Sequence, residues 1–343
     1  MSGGYEALAA KARAMYGKRL RADELEQISR MGRVQDVLSQ LRQQPGWSQA
    51  VQVLPEGTVL TRAWLEEALR GQLRRECLRL SAFIPQEDRA LMDFPILRVE
   101  LERILGALRR LHARQYKRAE ALPVGYAARA RADLKALDCC EDFAGLVEAA
   151  RGSIYHDALV RQRQGDALPD YGVTEALLWS VYYRYMLRLV RRRYEGDTRK
   201  LLEQSIGGQV DVLNILHILR MKRYFPHEDN YLPVLLPYHY KLSVEQVRAM
   251  CAASGHQAVL DLVQATPYGR MFRGAGPGEL GTLYRSALYR LSRRQLRMGK
   301  PSVYTAVAYL NLREIELQAL VSAVEASKYH QELDPALLRI LAD

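Results

Sequence analysis

The sequence predicts an all-α fold built from three similar helical units. Apolar residues recur at spacings of three and four through most of the 343 residues, and no stretch alternates apolar and polar residues for long enough to require a sheet. Three predicted helices also carry an acidic residue within an apolar stretch. These residues are Glu100, Asp211 and Glu316, which are separated by 111 and 105 residues. A spacing close to one third of the chain indicates three copies of one unit, with boundaries expected at 1–120, 121–237 and 238–343.

The first unit is predicted to hold three helical stretches bounded by proline and glycine. They run from Tyr5 to Leu41, from Leu60 to Pro85 and from Phe94 to Ala113. Proline cannot continue a helix, because it lacks the backbone N–H and its ring clashes with the preceding turn. Thr61 is expected close to the cap of the second stretch.

The second and third units repeat this order. The predicted helices are 133–159, 171–194 and 207–225 in the second unit, and 244–250, 256–264, 279–298 and 302–329 in the third. Ser243 with Gln246 three residues later is typical of a capping box. Between the units, the two prolines in residues 230–237 favour extended chain.

The helix from Gly207 to Phe225 contains polar residues in a strongly apolar sequence. Asp211 and Asn214 are three positions apart and therefore share one side of the helix. A buried carboxylate must find hydrogen-bond donors, because its burial without partners is very costly. We interpret Glu100, Asp211, Asn214 and Glu316 as a structural acidic set that links neighbouring helices through hydrogen bonds or ion pairs.

Composition favours a globular protein with an acidic partner. The chain has 50 Lys and Arg against 39 Asp and Glu, for a formal charge of +11. The N-terminal residues do not form a signal peptide, and the longest apolar run, 177–190, is too short to cross a bilayer. These observations predict a cytoplasmic protein, or one peripheral to a membrane.

No pattern in the sequence predicts an enzyme, a metal site or a cofactor site. The seven histidines lack paired spacing on one helix face, and the four cysteines lack the spacing of a zinc or redox pair. The glycine-rich stretch 274–278 follows no predicted strand and lacks the Lys-Ser/Thr of a phosphate-binding loop. No nucleophile, base and orienting group stand in a recognisable arrangement.

The middle helix of each unit is rich in arginine. Two interpretations remain open, a partner-binding surface and solvated helix faces with partial pairing. Nucleic acid is one alternative partner, because arginine and tyrosine on one helix can stack bases. The candidate partner-binding residues are Arg188, Arg191, Arg192, Arg193, Arg285, Arg293 and Arg294.

The acid-bearing helices resemble one family, the C subunits of bacterial and archaeal V-type (A-type) ATPases, which are equivalent to the eukaryotic d subunit. The resemblance is densest at residues 211–223 and 309–320, extends to Ala12-Arg-Ala-Met15 and covers the whole chain. It implies a pseudo-threefold funnel without a catalytic site or cofactor. It also implies a central-rotor adaptor on the cytoplasmic face of the membrane. Its partners would be the central stalk subunits and the proteolipid rotor ring, with no nucleic acid.

Overall fold

The computed structural model describes residues 3–52, 62–114, 128–163, 165, 167–225, 231–276 and 278–342. The regular elements of these residues are helices, which confirms the all-α prediction. No helix in the described ranges is both long and apolar enough to cross a membrane.

The N-terminal part of the chain forms several helices of unequal length. They are α1 (Gly3–Tyr16), α2 (Ala22–Ser29), α3 (Val34–Gln43), α4 (Arg62–Ser81), α5 (Arg89–Met92) and α6 (Phe94–Ala113). The prediction of one helical stretch from Tyr5 to Leu41 was wrong in its continuity, because turns near Gly17 and Gly32 divide it. Gly32 has a φ of +63°, which favours glycine and stops a right-handed helix. Thr61 lies outside the described residues.

The remaining helices follow in two groups. They are α7 (Leu134–Cys139), α8 (Phe143–Ala149), α9 (His156–Gln162), α10 (Tyr171–Arg193) and α11 (Gly196–Tyr224), then α12 (Val244–Ala252), α13 (His256–Gln264), α14 (Leu280–Met298), α15 (Val303–Tyr329) and α16 (Pro335–Ala342). Residues 133–159 thus hold short helices where one stretch was predicted. Residues 232–234 form a 3₁₀ turn where extended chain was predicted.

Capping residues explain several helix starts. Ser243 accepts a hydrogen bond from the Gln246 amide, while the Gln246 side chain accepts one from the Ser243 amide. This reciprocal pair confirms the predicted capping box. Asp142 and Asp170 cap α8 and α10 without the reciprocal bond. Each side chain accepts a hydrogen bond from the backbone amide three residues later.

The chain divides into two compact units. One unit combines residues 1–92 with 285–343, and the other contains residues 93–284. In the first unit, the long helix α15 is buried along most of its length and packs against α1, α2 and α4. In the second unit, apolar residues of α11 form a core with α12 and α13. The three-unit boundaries and the funnel arrangement stay predictions.

Candidate functional site

Asp211 on α11 binds the backbone of the segment that leads into α12. Its side chain is fully buried. Oδ1 accepts from the Tyr240 amide at 3.0 Å, and Oδ2 accepts from the amides of Lys241 at 2.7 Å and Leu242 at 3.2 Å. The Tyr268 hydroxyl also donates to Oδ2, at 2.8 Å. Four donors therefore surround a carboxylate that water does not reach.

Asn214 extends this arrangement by one helical turn. Its Nδ2 donates to the Leu236 carbonyl oxygen, and its Oδ1 accepts from the Leu236 amide, both at 2.9 Å. The amide side chain thus satisfies both backbone groups of one residue in a buried loop. Asp211 and Asn214 together fix the path of residues 236–242 against α11.

The close approach of the Tyr240 side chain to the backbone of α11 supports the Asp211 contacts. A Cβ added at Gly207 would lie 2.7 Å from Cβ and Cγ of Tyr240. Only glycine leaves room for that ring next to the helix. Since the Tyr240 amide donates to Asp211, the glycine one turn earlier helps to set this hydrogen bond.

Glu316 on α15 performs the same task in the other compact unit. Its Oε1 accepts from the Leu20 amide at 2.6 Å and from the Trp47 indole N–H at 2.8 Å. The side chain of Glu316 is also buried. Unlike Asp211, Glu316 has a cationic partner, because Nη1 of Arg313 lies 2.9 Å from Oε1.

Arg313 joins Glu316 to a second buried acid, Glu76 of α4. Nε of Arg313 lies 3.0 Å from Oε2 of Glu76, and the Tyr309 hydroxyl donates to the same oxygen at 2.8 Å. The Arg313 guanidinium stacks on Trp47, 3.8 Å from the ring centroid. Burial by itself would lower the pKa of Arg313, but the two carboxylates outweigh it and raise this pKa. The arginine is therefore a permanent cation between two acids.

Glu100 on α6 has the fewest partners of the three predicted acids. It is fully buried, and its Oε1 accepts from the amides of Arg131 and, at 3.0 Å, Ala132. Its Oε2 has no hydrogen-bond partner among the described residues. Burial raises the pKa of Glu100 and outweighs the opposing effect of the two amides.

The three acids share one structural relation that the sequence analysis did not anticipate. Each acid accepts a hydrogen bond from the backbone amide of a residue that lies two positions before the first residue of a short helix. The amides are those of Leu20 before α2, Ala132 before α7 and Leu242 before α12. We call these contacts the carboxylate clamps. The hydrogen bonds of these acids are thus mainly to loop backbone, and Glu316 adds an ion pair with Arg313.

A buried aromatic residue accompanies each clamp, and the sequence analysis did not identify this set. Trp47 and Tyr268 donate directly to Glu316 and Asp211. Tyr155 instead donates to the Leu97 carbonyl oxygen at 2.7 Å, one turn before Glu100. The aromatic residues are separated by 108 and 113 residues. Their spacing matches that of the acids and was the signal available in the sequence.

The arginines at the C-terminal end of α10 are exposed. Arg188, Arg191, Arg192 and Arg193 all lie at the surface. Arg191 contacts Glu203 at 3.2 Å, and the same acid also contacts Arg199 at 3.3 Å. One carboxylate shared by two arginines leaves an excess of positive charge. A helix C-terminus also favours cations, because the helix dipole is negative there.

The arginines of α14 occupy mixed environments. Arg294 is exposed and Arg293 is half-buried. Arg285 is half-buried and lines a cavity of about 630 Å³ together with Asp334 and Glu325. Burial lowers the pKa of Arg285, and the charge of Asp334 partly opposes this effect. Arg285 therefore lies in an open surface depression beside acidic side chains.

The arginines of α4 are largely paired within the chain. Arg70 contacts Glu66 at 2.7 Å, and Arg74 forms an ion pair with Glu67. The exposed arginines of the middle helices therefore lie mainly on α10, at residues 188 and 191–193, and on α14, at residues 290, 294 and 297.

The described polar residues outside the clamps do not gather into a metal-binding cluster. The described residues contain no group of three or more His, Cys, Asp or Glu side chains that could hold a metal ion. His217 on α11 is partly buried, and burial lowers its pKa while a hydrogen bond to the Val234 backbone opposes the shift. This environment is typical of a histidine with a packing role.

Comparison with known proteins gives a consistent family. The profile of the family described as ATP synthase (C/AC39) subunit matches residues 8–334. A relative from Methanosphaera stadtmanae, the C subunit of an A-type ATP synthase, is 23% identical over 327 residues, which cover 91% of this chain and 80% of that protein.

Proposed function

Because the chain belongs to the ATP synthase (C/AC39) subunit family, a family of non-catalytic subunits, we propose that it is the central-rotor adaptor of a V/A-type rotary ATPase. Membership of this family implies a complex with other ATPase subunits. In the proposed role, one surface of the chain holds the central stalk and another holds the proteolipid ring at the cytoplasmic face of the membrane. The adaptor transmits rotation for the transport of protons or sodium ions. The match over residues 8–334 carries the proposal.

The carboxylate clamps support a role that requires stiffness. An adaptor that transmits torque must resist deformation between its two contact surfaces. Buried charged and hydrogen-bonded groups add positional specificity more than net stability, since desolvation offsets much of their attraction. The clamps fix the chain before α2, α7 and α12, which makes these helices follow the motions of the long helices.

The exposed arginines support contacts with acidic surfaces of other subunits. Arg191, Arg192 and Arg193 form a cationic end of α10. Contacts of this kind accelerate association and are weakened by salt, because exposed charges are screened over about 10 Å at 0.1 M ionic strength. Such an interface can be released when a complex disassembles.

Binding of the purified chain to its proposed partners tests this function. The chain is mixed with central stalk subunits and with detergent-solubilised rotor ring from the same source, and size-exclusion chromatography is run at low and high salt. We expect one complex containing the chain, the stalk and one ring. Retention on nucleic acid together with failure to bind stalk or ring would contradict the proposal.

A charge-reversal variant tests the arginine surface with a matched control. The triple change Arg191→Glu, Arg192→Glu and Arg193→Glu should weaken assembly most at low salt. The control reverses three exposed arginines on other helices, Arg161→Glu, Arg248→Glu and Arg339→Glu. The two triple variants have the same net charge. Equal assembly by both would remove the end of α10 from the interface.

A further inference from the structure

A basic surface lies where α1 meets the C-terminal end of α14. Nε of Arg13 donates to the Leu296 carbonyl oxygen at 2.8 Å, and Nη2 donates to the Gly299 carbonyl oxygen at 3.5 Å. The hydroxyl of Tyr16, one turn later in α1, lies 3.0 Å from that of Tyr289, two turns earlier in α14. The two helices therefore run antiparallel, and the guanidinium of Arg13 lies at the residues that end α14.

Four more cations stand on this part of the chain. Arg290, Arg294 and Arg297 are exposed, and their spacings of four and three residues place them on one side of α14. At 1.5 Å per residue these arginines extend over about 10 Å. Lys300 is exposed just after the helix, and Arg13 is exposed as well. We call this group the α14 surface, and its members are Arg13, Arg290, Arg294, Arg297, Met298 and Lys300.

The acids nearest to this surface along the chain lie several turns away. No Asp or Glu stands between residues 6 and 23 or between residues 279 and 314, and no undescribed residue interrupts these two ranges. Glu6 precedes Arg13 by about 10 Å along α1, and Glu314 lies about 16 Å from the first residue of α15. Within these ranges the charge is therefore entirely positive.

Other helices of the same compact unit do not neutralise these cations. α1 also packs against α4 and α15. The acids of α4 are paired with arginines of their own helix or buried, and Glu316 of α15 is buried. Arg294, Arg297 and Lys300 form no ion pair within the described residues. Their charge is therefore available to a partner.

The composition of the α14 surface selects among negatively charged partners. Met298, which is 84% exposed, is its only apolar member, whereas lasting attachment to a membrane requires a larger apolar contribution. The tyrosines beside these cations, Tyr16 and Tyr289, are buried and cannot stack nucleic-acid bases. Arginine and methionine are enriched in protein interfaces, where lysine is depleted, and four of the five cations are arginines. These observations favour the carboxylates of a protein, which arginine binds through two parallel hydrogen bonds.

We propose that the α14 surface binds an acidic helical segment of another ATPase subunit. Carboxylates that recur every three or four residues along one side of that segment match the spacing of the three exposed arginines on α14. Arg13 and Lys300 bind acids at one end of the segment, and Met298 packs against its apolar atoms. The surface belongs to the compact unit of residues 1–92 and 285–343, so it is a second site besides the arginines of α10. The inference rests on the proposed function only for the source of the segment.

Zero-length cross-linking of the full chain to an acidic peptide tests this site. The probe is an alanine-based helical peptide, blocked at both ends, with glutamates at positions i, i+4 and i+7. A carbodiimide joins a glutamate carboxylate to a lysine amine as an amide and takes up the released water as a urea. The product therefore marks the lysines that the peptide contacts. We expect the main product at Lys300, with little at Lys200 and Lys328, which are also exposed.

Charge reversal tests the contribution of the arginines. Arg294→Glu with Arg297→Glu should lower the yield at Lys300 about tenfold, because the reversed charges repel the glutamates. Arg33→Glu with Arg339→Glu is the charge-matched control, since both arginines are exposed in the same compact unit, and should keep the yield within about twofold. If the reversed variant melts at a lower temperature, Arg294→Gln with Arg297→Gln replaces it, with an expected decrease of about threefold.

The outcomes are distinct. Loss of the Lys300 product in the Arg294 and Arg297 variant, with the control intact and an unchanged melting temperature, supports the site. Wild-type yield in that variant, an equal loss in the control, or product spread evenly over Lys200, Lys300 and Lys328 would overturn it. Stronger competition by duplex DNA than by free peptide at equal charge would also overturn it, because phosphate would then be the preferred ligand.

This experiment contains no stalk and no ring, so it is independent of the adaptor test. A chain that binds stalk and ring but shows no preferred lysine would refute the α14 surface alone. A chain that prefers Lys300 but binds neither stalk nor ring would refute the adaptor role alone.

Discussion

Removal of the Asp211 carboxylate should loosen the chain before α12. Asp211→Ala leaves four donors without their acceptor. The Leu242 amide and the Tyr268 hydroxyl are buried, whereas the amides of Tyr240 and Lys241 lie near the surface and can be hydrated. An unsatisfied buried donor costs about 1–3 kcal/mol. Two such donors give a loss of about 2–6 kcal/mol in the free energy of unfolding of the compact unit 93–284.

Asp211→Asn provides a graded version of the same change. The asparagine oxygen can occupy the position of Oδ2 and keep three donors, while its amide group then faces the Tyr240 N–H. The buried amide group of the asparagine is then a donor without an acceptor, for an expected cost of about 1–3 kcal/mol. Asp261→Asn is the control, because Asp261 is exposed in α13 and its side chain accepts a hydrogen bond from that of Gln257 at 2.9 Å. Its effect should stay within about 0.5 kcal/mol.

Hydrogen exchange measured by mass spectrometry locates the effect. The amides of residues 240–242 should exchange faster in Asp211→Ala, while residues 131–132, held by Glu100, should keep their protection. Chemical denaturation gives the accompanying stability change. If exchange at residues 240–242 is the same in the variant and the unchanged chain, the carboxylate does not hold this segment and our reasoning is refuted.

Three further changes probe the other clamps. Arg313→Met should cost about 3–5 kcal/mol in denaturation, because it leaves Glu76 and Glu316 buried without their cation; a cost below about 1 kcal/mol would show that the acids are not ionised there. Trp47→Phe keeps a ring against Arg313 but removes the indole N–H, and should cost about 2 kcal/mol, with hydrogen exchange rising at residue 20; unchanged exchange would argue against a shared clamp. Because burial raises the pKa of Glu100 in the folded chain, its stabilising contribution is complete below the unfolded pKa and is lost as pH rises through the folded pKa. Wild type should therefore gain stability relative to Glu100→Gln as pH falls from about 7 towards about 4.5; a pH-independent difference between the two would exclude this titration.

The long helices were mostly predictable, because capping residues and apolar periodicity indicate their ends and their burial. The start of α11 was predicted wrongly, since this helix begins at Gly196, eleven residues before the predicted Gly207. The structure has α6 at the predicted residues 94–113. Pro95 fits the first turn of this helix, whereas a proline farther inside would break it. Ser302 and Ser243 indicate where α15 and α12 begin. The short helices were harder to predict, since their breaks depend on single glycines such as Gly32 and not on proline.

The partners of the acids could not be predicted in the same way. Backbone amides carry no side-chain signature, so the donors at Leu20, Ala132 and Leu242 were invisible in the sequence. The periodic spacing of the acids did indicate that they would have equivalent surroundings. The aromatic residues at 47, 155 and 268 share that period and could have been found by the same test.

The Glu76–Arg313 ion pair could not be predicted from the sequence either. Glu76 stands among arginines on α4, a setting that is typical of a surface charge. Its partner is 237 residues away along the chain. Only the packing of α4 against α15 distinguishes this buried acid from Glu66 and Glu67, which pair at the surface of their own helix.

The most direct test of the adaptor role is whether the chain connects two components that do not otherwise bind each other. Tagged central stalk subunits are immobilised, and detergent-solubilised rotor ring is added with or without the purified chain. We predict that the ring is retained only when the chain is present, with one chain per stalk and per ring. Retention of the ring to the same extent without the chain, or no retention in its presence, would contradict the adaptor role.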